Sequence, residues 1–140
     1  MSDDPLAVIA GELYGLDLDR FTAERNRRAK ELRAADRKLA AAVAALPKPT
    51  AAAWLVDQLV RAEPDVVAAA LALGPGYRAA QEALDRDALR ELGAARRAAL
   101  AEVDAAARRV AEARRRPYPA SAADEVQRTV LAAIADAGAA

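Results

Sequence analysis

At 140 residues the chain has room for one domain with one continuous core, and its 21 Lys and Arg are matched by 21 Asp and Glu, a net charge of zero. The sequence holds neither Cys nor His. That excludes disulfides, thiolate nucleophiles, tetrahedral zinc, iron–sulfur clusters, Glu-x-x-His di-iron sites and imidazole acid–base chemistry.

Of the 54% hydrophobic residues, 42 are Ala, which brings helix backbones close but removes little apolar area each. Thin, closely packed helices are expected. Arg outnumbers Lys 18 to 3, a bias that G/C-rich codons explain, since Phe and Asn occur once each. The acidic start MSDDPLAV lacks the basic and apolar regions of a secretory signal. No run of about 18 apolar residues is free of charge, so no membrane span is expected. A soluble, cytoplasmic protein is the reading these features imply.

Ala, Leu, Arg and Glu dominate and favour helix throughout. The first helix is expected from Asp4 as N-cap, with Pro5 at its first position and Leu6, Ile9 and Leu13 on one face; Gly15 closes it. A long second helix is read from Asp17 or Asp19 to about Leu46, stopped by Pro47 and Pro49. In it Leu32, Leu39 and Leu46 recur every seven residues beside Ala29, Asp36 and Val43, a seam for a neighbouring helix. Thr50 is the expected N-cap of a helix over 50–62. Pro64 opens another that ends at Gly74, and a further segment runs from the Gly-Pro-Gly to Leu84. The spacing of Leu89, Leu92, Leu100, Val103 and Val110 predicts a second long helix from about Asp87 to Arg115. Ser121, with Asp124 three residues on, resembles a capping box for the last helix. The two long helices, about 27 residues or roughly 40 Å each, are expected to lie antiparallel. The predicted fold is therefore an all-α, Ala-rich bundle over 1–140, with shorter helices flanking a long pair.

Little here carries chemistry. Asp85, Asp87 and Glu91 are read as helix-capping acids rather than a Mg²⁺ site. The Gly-Pro-Gly lacks a phosphate-loop pattern. Helices 50–62 and 64–74 fit a helix-turn-helix loosely, but the second has no Arg, Asn, Gln or Lys to reach base edges. The remaining candidate is the basic stretch 20–48, with nine basic residues against three acidic. Arg27, Arg28, Lys30, Arg33, Arg37 and Lys38 spread over several outward positions, and i,i+4 spacing pairs Glu24 with Arg28 and Arg27 with Glu31. Arg25 falls on the apolar seam and is expected to find a structural ion pair, with an acid of the first helix as partner. Lys48, held in an extended Lys-Pro-Thr turn beside Trp54, is the most specific local feature; core packing is the plain reading of Trp54.

The runs LYGLDLDRFTAERNRRAKELRA and KPTAAAWLVDQLVR resemble a family of uncharacterised helical proteins of high-GC bacteria. The resemblance is clearest over residues 13–61. It rests on Phe21, Arg25, Asn26, Ala29, Lys30, Lys48, Pro49, Ala53 and Trp54. Asp57 stands where that family has Asn, and its members continue into a further charged segment beyond the equivalent of Ile134. The resemblance implies a helical fold and a bacterial interior, and no activity.

The function expected from these features is a non-enzymatic helical interaction module, binding a protein partner or itself, without cofactor, metal or small-molecule substrate. Its candidate contacts are Arg25–Lys30, Lys48 and Trp54. The alternative is a weak, salt-sensitive nucleic-acid binder that uses Arg27, Arg28, Arg33, Arg37 and Lys38.

Overall fold

The computed structural model describes residues 4–139, and among these every regular element is helical. Two compact units are distinguishable within the 140 residues read as one domain. One extends to Asp57 and the other starts at Gln58.

The first unit holds α1 (Pro5–Tyr14), a short turn of 3-10 helix (Leu18–Arg20), α2 (Phe21–Leu32) and α3 (Arg37–Ala44), and it takes in the start of α4 (Ala51–Ala62). Asp4 caps α1 as expected, its carboxylate accepting from the Leu6 N–H at 3.0 Å. The long second helix is not formed. After Leu32 the chain turns through residues 33–36, where the Asp36 N–H closes α2 on the Leu32 carbonyl at 2.8 Å. Its side chain then caps α3 by accepting from the Leu39 N–H at 3.0 Å. Asp36 is thus an N-cap and not a seam residue. Asp suits this place because its short carboxylate competes with helical backbone bonding and favours the extended conformation, φ −153° and ψ 92°, found here.

Helices α2 and α3 form an antiparallel hairpin. The turn joins one pair of ends, and Arg25 near the start of α2 reaches the Leu46 carbonyl just past α3 at 3.0 Å. Leu32, Leu39 and Leu46 still face inward, half-buried against a core of Ile9, Leu13, Phe21, Ala29 and Val43. Tyr14 stacks on Phe21 with ring centres 5.1 Å apart.

The second unit takes in the end of α4, then α5 (Pro64–Leu71), α6 (Leu73–Glu82), α7 (Arg86–Ala113) and α8 (Ala120–Ala139). Helix α7, with 28 residues, is the long helix the leucine and valine spacing predicts. Helices α5 and α6 both pack against α7 and α8. The core is small-residue material: Ala70, Ala80, Ala106, Ala107 and Ala111 are buried with Leu59, Val103, Val126, Val130 and Ile134.

The Gly-Pro-Gly does not separate two helices; it forms the first turn of α6, where Pro is tolerated because its missing N–H needs no partner. Gly74 is there for closeness. A Cβ on it would lie 2.5 Å from the Ile134 carbonyl oxygen and 2.6 Å from the Gly138 nitrogen. Gly138 meets Gly74 just as tightly, so α6 and α8 touch backbone to backbone. The last helix begins at Ala120, which puts Ser121 inside the first turn instead of at the cap.

Candidate functional site

The basic residues of the α2–α3 hairpin sort into two groups. Arg25 spends its guanidinium on the Leu46 carbonyl and on the Asn26 side chain, at 3.0 and 3.1 Å, and lies 5.9 Å from the Phe21 ring centre. Its partner is a carbonyl, which corrects the expected ion pair with an acid of α1. That acid pair is made by Arg28 instead, with Glu12. Arg27 sits between Glu24, at 2.8 Å, and Glu31. The hydrogen bond from Arg27 holds the Glu24 carboxyl below its ordinary range against the opposing effect of desolvation.

The second group is Lys30, Arg33, Arg37 and Lys38. All four are exposed, and among the described residues none makes an ion pair. They gather where the end of α2 meets the start of α3. The nearby acids are engaged: Glu31 with Arg27, and Asp36 in capping. Arg37 and Lys38 occupy the first turn of α3, which carries no acid. The N-terminal end of a helix dipole disfavours cations by roughly 0.3–1 kcal/mol each. This corner therefore concentrates positive charge at a local cost.

Lys48 is exposed on the loop after α3, at the opposite end of the hairpin. Trp54 is 2% exposed and its indole N–H donates to the Leu16 carbonyl at 2.8 Å, so it packs in the core and offers no surface. Thr50 caps α4 as expected, accepting from the Ala53 N–H at 3.1 Å.

No family model, curated protein or solved structure matches the chain.

In the second unit most of the arginine cluster at the end of α7 is internally engaged. Arg109 grips Glu63 through two nitrogens at 2.7 and 3.2 Å, and this hydrogen bonding lowers the Glu63 pKa. Arg114 donates to the buried Gln58 at 2.9 Å. Both contacts line a groove of about 460 Å³ between α4 and α7. Arg108 pairs with Asp104 and lies 5.1 Å from the Tyr118 ring centre; the Tyr118 hydroxyl donates to the same Asp104 at 2.7 Å. The Asp85 carboxylate caps α7 through the Ala88 N–H at 3.0 Å. Among the described residues no group of three acids could hold a metal ion, and no helix is long and apolar enough to cross a membrane.

Sequence reasoning missed Gln58, Tyr77, Arg78 and Arg96, which line concave surfaces of the second unit. Gln58 stands beside Asp57 between Leu55 and Leu59 on α4, and the apolar spacing alone does not show that it is the buried one of the two. Tyr77 and Arg96 come from different helices, and nothing in the local pattern signals their pairing.

Proposed function

We propose that the protein is a non-enzymatic helical interaction module that binds an acidic segment of a partner protein at the α2–α3 corner. The observation carrying this reading is the sorting of charge within one hairpin. Arg25, Arg27 and Arg28 are neutralised or hydrogen-bonded internally, whereas Lys30, Arg33, Arg37 and Lys38 are left without carboxylates. The chain has enough acid to balance every base, so leaving these four unpaired is a local arrangement and not a compositional necessity. Placing two of them against the α3 dipole reinforces the point, because local stability is given up there.

Nucleic acid is the second reading, supported by the same four cations. Against it stand the shortness of the patch, the flanking Glu24 and Glu31, and the lack of a stacking platform, since Phe21 and Trp54 are buried.

The test is anisotropy with a labelled poly-Glu/Asp peptide, a single-stranded DNA and an RNA, each titrated at low and moderate salt. Binding of the peptide, lost when Lys30, Arg33, Arg37 and Lys38 are all changed to Gln, is the expected outcome. Tighter binding of the oligonucleotides, with a log–log salt slope of about −3 for about four phosphate contacts on a single strand, would move the assignment to nucleic acid. No binding of any probe at low salt rejects both.

A further inference from the structure

The backbone contact between Gly74 and Gly138 leaves a cleft of about 320 Å³ beside it, lined by Tyr77, Arg78 and Gln81 of α6, Arg96 of α7, and Leu131, Ile134 and Ala135 of α8. That volume lies at the small end of the range for ligand pockets. The floor is apolar. The polar wall is cationic, with no carboxylate among the lining residues.

The two arginines differ. Arg78 is committed: its Nε faces Glu82 at 3.2 Å, and its Nη1 reaches the carbonyls of Gly138 and Ala139 at 3.3 and 2.8 Å, closing the end of α8. Arg96 is half-buried, its guanidinium carbon 5.2 Å from the Tyr77 ring centre, and it makes no ion pair among the described residues. A partly desolvated guanidinium stacked on an aromatic face keeps its donor edge for a planar anion. The Tyr77 ring that Arg96 covers also lines the cleft, while its hydroxyl is buried near Gly93 without a hydrogen-bond partner.

We propose that this cleft binds a small carboxylate with a short aliphatic tail. The carboxylate meets Arg96, with the Gln81 amide as a further donor, and the tail lies on Leu131, Ile134 and Ala135. A monoanion suits the site better than a phosphate dianion, since one uncommitted guanidinium is the chief counter-charge.

Titration of the full chain with hexanoate, followed by amide NMR, tests this. Saturable shifts are expected at Gly74, Ala135 and Gly138, with acetate binding more weakly and hexylammonium giving none. Changing Arg96→Gln should weaken hexanoate by about tenfold or more, the effect of losing a hydrogen bond to a charged group. Should Arg96→Gln fail to fold, Leu131→Glu carries the test: the side chain it replaces is 37% exposed, and the new carboxylate at the cleft should repel hexanoate to a similar degree. The proposal is overturned by the absence of saturable shifts, by equal binding of acetate or hexylammonium, or by unchanged affinity in the folded variants.

Discussion

At position 74 a methyl group would put carbon 2.5 Å from a carbonyl oxygen that belongs to the backbone of α8 and cannot swing away. Gly74→Ala is therefore expected to cost about 1–3 kcal/mol, the range for overpacking a filled interior, read as a lower urea midpoint. The same change at Gly11 has the opposite sign. A Cβ there meets nothing within 4 Å, so Gly11→Ala should raise stability by about 0.5–1 kcal/mol through helix propensity alone. Leu84 is a third case. It has φ 53° and is 83% exposed, and it occupies the left-handed position that ends α6, with the Asp85 N–H bonding back to the Ala80 carbonyl at 3.0 Å. Leucine's Cβ crowds its carbonyl in that conformation while its side chain buries little. Leu84→Gly should gain about 0.5–1 kcal/mol in the same measurement.

Among the elements, the α2–α3 turn separates what the sequence makes legible from what it hides. Leucines at 32, 39 and 46 satisfy one straight rod and a hairpin equally well, because Leu32 lies just before the turn and Leu39 just after it. Their inward orientation was readable; the rod was not. The break carries neither Gly nor Pro, and its one mark is Asp36, whose carboxylate outcompetes helical continuation by holding the Leu39 N–H. Asp36→Ala should cost about 1 kcal/mol, the usual value of a lost N-cap, with a fall in helicity at α3 seen by hydrogen exchange of residues 37–40. The Gly-Pro-Gly misleads in the reverse direction. It reads as punctuation but serves as a first turn, because the packing of α6 on α8 requires glycine at 74. Where capping alone decides, as at Asp4 and Thr50, sequence and structure agree.

For the whole molecule, composition makes the zero net charge plain, but which cations are neutralised depends on contacts across helices, such as Arg28 with Glu12 and Arg109 with Glu63. Those contacts also shape the response to pH. Hydrogen bonds from Arg27 and Arg109 depress Glu24 and Glu63 below their ordinary value of 4.5. Their contribution is complete above that value and disappears as pH falls through the lower folded-state pKa values. Tyr118 acts at the other end. Burial, then the hydrogen bond to Asp104, raises its phenol above 10.0, so the fold favours the protonated form. That contribution is complete below pH 10.0 and is lost as pH rises beyond it. Without His or Cys no side chain of ordinary pKa titrates between these limits. The urea midpoint should therefore be level from about pH 5 to pH 9 and fall on both sides. The acid fall is the shallower, because its ion pairs are largely solvated. Tyr118→Phe should remove much of the alkaline fall and leave the acid one intact, while Glu63→Gln should soften only the acid side. A midpoint that moves within the plateau, or an alkaline fall unchanged in Tyr118→Phe, would mean that groups other than these govern the charge balance of the fold.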